Sequence, residues 1–340
     1  MTRFSRAILA VALFFLAFDA SANGTGVDAT ERVPVEGAEL YLLTRGTDRD
    51  APVLLWLHGG PGGAERPLFR YFNGELESHF VVAYLDQRGT GRSFDADADP
   101  HLLTVERHLA DLDTVVNHLR RTLGCEKVVL IGHSWGGALG ILFAHAHPEK
   151  VTALVAVSPL VSMRAAQREQ FDFVQAEASR RGDEDVLATL REIGAPPHKT
   201  TADALAIEHL AGNYGAVFHR EPSRMWVMLR GILGGLVTPW EIPRLIRGNQ
   251  VSLEAMNDEL LELDLSRSVP SLEVPVLFLL GRYDRHVSAS FTAQYFASLR
   301  APAKKLVWFE DSAHNAPFEE PERFNATVLG DLRSLGVPAK

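Results

Sequence analysis

Short apolar runs alternate along most of this chain with stretches whose apolar residues recur at helical spacing. The runs Val53–Leu57, Phe80–Leu85, Lys127–Ile131, Val151–Val157, Val274–Leu280 and Lys305–Phe309 are only a few residues long. They are rich in β-branched or aromatic side chains and read as strands. Val53–Leu57 and Val274–Leu280 are apolar without alternation, which is the pattern of strands covered on both faces. From His108 to Leu123, apolar residues fall at 109, 112, 115, 116, 119 and 123, an amphipathic helix. Gly137 to His147 reads as a helix ended by Pro148. Glu31 to Arg45 predicts an opening strand pair bent at Glu36-Gly37. Strand–helix alternation of this kind predicts an α/β protein with a mostly parallel central sheet and flanking helices.

Residues 160–265 interrupt the alternation. They are helix-like and Arg-rich, with breaks at Gly182, Gly194-Ala195-Pro196-Pro197, Gly212 and Gly234-Gly235. The expected organisation is a core over 31–159 and 266–338, with a helical insertion over 160–265. The N-terminus lies outside it. Thr2-Arg3-Phe4-Ser5-Arg6 is basic, Ala7 to Phe18 is apolar, and Ala20-Ser21-Ala22 supplies small residues. This is the pattern of a secretory signal peptide over 1–22, cleaved after Ala22 and followed by a flexible segment over 23–30. The apolar run is short for a membrane span, and no Cys follows it for lipid attachment. The mature protein is expected to be secreted or periplasmic, with no membrane contact after cleavage.

Net charge is −9 without any basic block, which argues against nucleic-acid binding. Cys125 is the one cysteine, so no disulfide forms within the chain. It is expected to open a strand and to be buried and inert. His145 and His147, two apart on a helix, point to different faces. No Cys or His cluster has metal-ligand spacing, so no metal and no cofactor is expected.

The chemistry concentrates at strand ends. Gly132-His133-Ser134-Trp135-Gly136 sits between a strand and a helix, the setting of a nucleophile elbow. A tight turn there forces Ser134 into a strained conformation, and glycines two residues either side relieve the clashes. A nucleophilic serine needs a base, and the base needs a group that orients it. Asp284 follows the strand Val274–Leu280, and His314 follows Lys305–Phe309. About 30 residues separate them, the size of one strand–helix–strand step. The order Ser134, Asp284, His314 predicts a triad at one sheet edge. Taken singly, Asp284 reads as a turn or helix cap and His314 as one of 13 histidines; the joint order carries the assignment. Asp311 is too close to His314 in sequence to orient it, and His133 cannot fold back onto its neighbour.

His58-Gly59-Gly60-Pro61-Gly62-Gly63 follows another strand. Acyl transfer needs two N–H donors aimed at the oxyanion. Trp135 and Gly60 are expected to supply them, with Gly59 as the second choice and as a substrate contact. Pro61 has no N–H. His58 is expected to fix the loop by hydrogen bonding. Asp86-Gln87-Arg88-Gly89-Thr90-Gly91-Arg92-Ser93 lacks a dinucleotide fingerprint and is expected to buttress the oxyanion loop.

Together, His-Gly-Gly-Pro-Gly-Gly, Asp-Gln-Arg-Gly-x-Gly-Arg-Ser and Gly-x-Ser-Trp-Gly-Gly resemble the proline iminopeptidase branch of the α/β-hydrolases, a serine peptidase family of the S33 type. Ser312 to Glu322 is similar to that family's histidine loop. The resemblance covers most of the chain outside residues 160–250. It implies an α/β-hydrolase fold, with residues 160–265 as its cap, and a triad of Ser134, Asp284 and His314. The family's acidic, Trp-rich cap segment, which pairs with the substrate's amino terminus, has no match here; Trp240-Glu241 is the nearest dipeptide. Gly132-His133 is more like general esterase-type hydrolases.

Glu177, Glu208, Glu221 and Glu241 are candidate acids for a substrate ammonium group, each with a solvated surface role as its plainer reading. Met225–Leu229, which contains Trp226, and Ile232–Val237 either pack the cap onto the core or line an acyl or aromatic pocket. The expected activity is serine hydrolysis of a short peptide or small molecule through an acyl-enzyme. Carboxylesterase or lactonase chemistry is the alternative within hydrolases. A non-catalytic ligand-binding protein is the alternative outside them.

Overall fold

The computed structural model describes residues 26–198, 200–219, 237–238 and 241–337. The expected signal peptide, Glu221, Met225–Leu229 with Trp226, Ile232 to Leu236 and Trp240 lie outside the described residues. Among the described residues, no helix is long and apolar enough to cross a membrane.

The strands are β1 (Val27–Val35), β2 (Ala38–Gly46), β3 (Val53–Leu57), β4 (Val81–Leu85), β5 (Val128–His133), β6 (Val151–Val157), β7 (Val276–Gly281) and β8 (Lys304–Phe309). They form one sheet in the order β1-β2-β4-β3-β5-β6-β7-β8. β1 with β2, and β2 with β4, are antiparallel, and the remaining neighbours are parallel. The first strand begins upstream of the expected Glu31. Residues 27–30, expected as part of a flexible segment, pair with Gly46 back to Leu43 and belong to the sheet. Cys125 also departs from expectation. It lies in the loop before β5 and is half-buried, although burial still pushes its thiol pKa up.

Period-two alternation divides the inner strands between two cores. Val53, Leu55 and Leu57 of β3 and Val128 and Leu130 of β5 join one cluster. Leu54, Trp56, Val129 and Ile131 join the other. The helices in chain order are α1 (Arg66–Asn73), α2 (Val105–Leu123), α3 (Trp135–Ala146), α4 (Met163–Arg181), α5 (Glu184–Ile193), α6 (Thr201–Asn213), α7 (Ile242–Glu262), α8 (Leu265–Ser268), α9 (Ala289–Ser298), α10 (Ala316–Glu319) and α11 (Pro321–Ser334). α2, α3 and α9 cover the first face, and α1 and α11 the second. Both faces are therefore dry, which is why the parallel strands need no polar side. α4 to α8 form the inserted region between β6 and β7. It has a small core of its own (Val174, Leu190, Ile207, Ala211 and Ala216), while Met256 and Leu260 of α7 join the main core.

Parallel strands share one C-terminal edge, and the loops leaving β3, β4, β5, β7 and β8 meet there. The loop after β4 is held by Arg88. Its Nε and Nη2 donate to Asp111 Oδ2 (2.8 Å) and Oδ1 (2.7 Å), and Nη2 also donates to the Glu36 carbonyl (2.8 Å). Both partners of the pair are buried. Removing one partner of such a pair strands the other charge in the interior. Asp111→Ala is expected to lower unfolding stability by about 3 kcal/mol or more in a urea titration. A loss below about 1 kcal/mol, the range of exposed pairs, would show that solvent reaches Arg88.

Candidate active site

β5 stops at His133 and α3 starts at Trp135, with Ser134 between them at φ 54°, ψ −117°. A non-glycine residue enters this positive-φ region only when its surroundings hold it there. Ser134 N donates to the Val157 carbonyl (2.9 Å), and its own carbonyl accepts from Ala138 N (3.1 Å) and Leu160 N (3.0 Å). A Cβ on Gly136 would stand 2.1 Å from the Leu57 carbonyl oxygen, and one on Gly132 would stand 2.2 Å from the Gly136 oxygen. Only glycine lets these segments approach so closely. The residue is 5 % exposed, and its hydroxyl makes no hydrogen bond among the described residues.

Asp284 and His314 are brought together. His314 Nδ1–H donates to Asp284 Oδ2 (2.9 Å), while Asp284 Oδ1 accepts from His286 N (2.8 Å) and Val287 N (3.2 Å). Burial works to raise the Asp284 pKa, but His314, His286 and the Val287 N–H outweigh it and hold the carboxyl below its usual range. Burial, with smaller contributions from the neighbouring histidines, pushes His314 down to about 4. The ring is thus neutral near pH 7 with its proton on Nδ1, leaving the Nε2 lone pair as a base. Ser134 Oγ and the His314 ring are not hydrogen-bonded to each other; such contacts commonly tighten only when substrate is bound. The two loops nevertheless meet, because His133 Nε2–H donates to the His314 carbonyl (3.0 Å) and the two rings lie 4.7 Å apart between centroids. Asp311 has a loop contact, its N–H donating to Glu320 Oε1 (3.2 Å).

The glycine loop lies against the elbow. Gly60 takes φ +115°, a conformation suited to glycine. Neither its N–H nor that of Trp135 has an acceptor among the described residues. Gly59 differs from the expectation, because its N–H donates to Glu65 Oε2 (2.9 Å) and is already used. His58 Nδ1–H donates to the Gly59 carbonyl (2.8 Å), and His58 Nε2 accepts from Gln87 N (3.1 Å). Gln87 Nε2 donates to the His58 carbonyl (2.9 Å), and Gln87 Oε1 accepts from Trp135 Nε1 (3.0 Å). The Asp-Gln-Arg segment therefore ties the glycine loop to the elbow.

A profile for the alpha/beta hydrolase fold matches residues 52–321. The chain belongs to the α/β-hydrolase family. It is 31% identical over 310 residues to the probable aminopeptidase YbaC of Bacillus subtilis (strain 168), a match covering 89% of this chain and 96% of that one. It is 27% identical over 285 residues to the proline iminopeptidase of Heyndrickxia coagulans, covering 83% and 90% of the two chains. Among solved structures, the proline iminopeptidase of Mycobacterium smegmatis superposes with a TM-score of 0.66 at 20% identity, over 90% of this chain and 98% of that one. At that identity the likeness speaks to the fold alone.

In this α/β-hydrolase, sequence reasoning passed over Glu65. It stands just beyond the glycine motif with no distinctive spacing, yet its Oε1 lies 2.8 Å from His133 Nδ1. The candidate acids of the inserted region have varied surroundings. Glu241 is engaged within the chain. Its Oε1 accepts from Arg92 Nε (2.8 Å), and its Oε2 accepts from Thr238 N (2.8 Å) and Oγ1 (2.7 Å). Burial raises its pKa, but these donors hold it at about 2. A carboxylate so fully satisfied is not the unpaired acid that an ammonium-binding role requires, which corrects the expectation for Glu241. Glu177 pairs with Arg180 and Arg181. Glu208, half-buried on α6, has no ion pair or hydrogen bond among the described residues. An open cleft of about 950 Å³, lined by Arg32, Arg92, Phe94, Arg244 and Arg247 among others, contains none of Ser134, Asp284 and His314.

Proposed function

We propose that this α/β-hydrolase is an exported serine aminopeptidase that cleaves short peptides or amino-acyl amides through an acyl-enzyme. The hydrogen bond between His314 Nδ1 and Asp284 Oδ2, formed beside the strained Ser134, carries the reading. In the proposed reaction, Ser134 Oγ attacks the scissile carbonyl while His314 Nε2 takes its proton. Asp284 holds the ring in the Nδ1–H tautomer and stabilises the imidazolium. The Gly60 and Trp135 N–H groups receive the oxyanion. His314 then protonates the leaving amine, and water repeats the sequence on the acyl-enzyme. The near full-length similarity to a probable aminopeptidase supports peptide rather than ester substrates. The basic, apolar and small-residue order of the first 22 residues supports export.

Ser134→Ala is expected to reduce turnover of an amino-acyl arylamide by about 10³-fold or more with an unchanged melting temperature, and to abolish labelling by a fluorophosphonate. Acetylating the substrate's amino group is expected to abolish cleavage. Equal turnover of the acetylated and free substrates, or faster turnover of acyl esters, would replace the aminopeptidase reading with an esterase one. A folded Ser134→Ala protein as active as wild type would remove the triad itself.

Only neutral His314 can act as the base, so activity falls as pH drops through its pKa. With that pKa held at about 4, the acid limb of kcat/KM is expected well below the ordinary histidine value of 6.5. An acid limb at pH 6.5 or above, measured from pH 3.5 to 9 on the folded enzyme, would show His314 to be solvated.

A further inference from the structure

Glu65 and His133 form a second carboxylate–imidazole pair behind the first. Both nitrogens of His133 and both oxygens of Glu65 are engaged. His133 Nε2 faces the His314 carbonyl (3.0 Å), which can only accept, so Nε2 carries a proton. His133 Nδ1 faces Glu65 Oε1 (2.8 Å), and Glu65 Oε2 accepts from Gly59 N (2.9 Å). Two lone pairs would repel at that distance, so the Nδ1–Oε1 contact needs one further proton between them. On the ring, it makes the pair an imidazolium and a carboxylate.

We infer that Glu65 and His133 are positioning residues: an ion pair, its imidazole buried and its carboxylate half-buried, that holds the oxyanion loop and the histidine loop against the elbow and sets a positive charge beside His314. The inference rests on the triad reading. A single chain of contacts runs from Gly59 through Glu65 and His133 to the His314 backbone, so it touches all three segments that must be in register for the reaction. The loop carrying Gly60 and the loop carrying His314 have no shared strand pairing, because β3 and β8 are far apart in the sheet. The pair spans that gap.

Among the described residues, the ionisable groups facing the pair are few. His133 meets Glu65, His314 and Asp284. Glu65 also meets His58, which is buried and accepts a hydrogen bond at Nε2; Asp86 and Arg66, paired with each other, also act on that ring. His314 meets Asp284, His286 and His133. Burial is the largest single influence and disfavours the charged form of both members, but the partner's charge and hydrogen bond, together with His314 and Asp284 at His133 and with Gly59 and His58 at Glu65, outweigh it, so His133 is raised and Glu65 lowered. The pair is neutral overall and its oxygens are occupied, so it is not built to attract a substrate ammonium group.

The test uses the full enzyme with Glu65→Gln, Glu65→Asp and His133→Gln, each checked by circular dichroism. Glu65→Gln and His133→Gln remove the imidazolium. Each is expected to lower kcat on the order of 10-fold or more and to move the acid limb of kcat/KM upward by about one pH unit, because His314 loses a neighbouring cation. Glu65→Asp keeps the charge pair and is expected to return the limb to its wild-type position. Nitrogen NMR of the wild-type histidines is expected to show both His133 nitrogens protonated at pH 7, a readout that needs no variant to fold. A neutral His133, or a folded Glu65→Gln enzyme whose limb has not moved, overturns the inference. So does a rise in KM confined to substrates with a free amino terminus, which would make Glu65 a substrate anchor. These results stand apart from the triad, which Ser134→Ala tests alone: an enzyme killed by Ser134→Ala but indifferent to Glu65→Gln refutes only the second pair.

Discussion

The site depends on a steric fit between the end of β3 and the start of α3. Gly136 has no room for a side chain because the Leu57 and His58 carbonyls lie against it, and Gly132 has none because Gly136 does. That approach sets the start of α3 against the end of β3 and leaves Ser134 in a conformation worth about 1–3 kcal/mol of strain. Three backbone hydrogen bonds through Ser134, to Val157, Ala138 and Leu160, hold it there. A Cβ on Gly59 would stand 3.2 Å from the Ser134 Cβ, so the loop expected to bind the oxyanion is in near contact with the hydroxyl-bearing residue. The serine's place is thus set by backbone packing before any side-chain chemistry enters.

Several buried polar groups with matched partners then fix the surrounding loops. His58 is held as the Nδ1–H tautomer because Gln87 N donates to its other nitrogen. Gln87 accepts from the Trp135 indole and donates back to the His58 carbonyl. Asp86 accepts from Arg66 Nε (2.9 Å) and Arg92 N (2.8 Å), tying the loop after β4 to the start of α1. Networks of this kind are weak evidence for stability, since desolvation offsets much of their attraction. Their value here is geometric, because a loop with one satisfied arrangement does not wander.

The strand ends were the most legible part of the sequence. Apolar runs, a glycine spacing and the order Ser134, Asp284, His314 were enough to place each residue at one sheet edge, because parallel α/β topology leaves no other edge for a strand's C-terminus. The opening strand starts before the expected Glu31, since Val27 to Thr30 alternates on a half-exposed edge and has no apolar run to mark it. Glu65 was invisible for a different reason. Its role comes from facing an imidazole 68 positions away in sequence, and no local pattern encodes a contact of that range. The same contact decides Gly59: its N–H is a free donor by sequence, and the Glu65 carboxylate takes it in the fold. Glu241 has the sequence setting of a ligand-binding acid, and it accepts from Thr238 and from Arg92, the latter at a position that no local pattern connects to it.

The inserted region rests on the two loops that define the site. From α7, Asn249 Nδ2 donates to the Pro61 carbonyl (3.0 Å), and Gly62 lies so close to the Asn249 backbone that a Cβ would stand 2.6 Å from its Cα. On the opposite side, the Val217 carbonyl, just beyond α6, accepts from His314 N (3.1 Å) and Asn315 Nδ2 (3.0 Å). Shifting α7 would drag the glycine loop, and shifting the segment after α6 would drag the histidine loop. The two loops move independently of each other only as far as the Glu65–His133 contact lets them. Anything that changes how this region sits on the core therefore reaches the oxyanion loop and the base together.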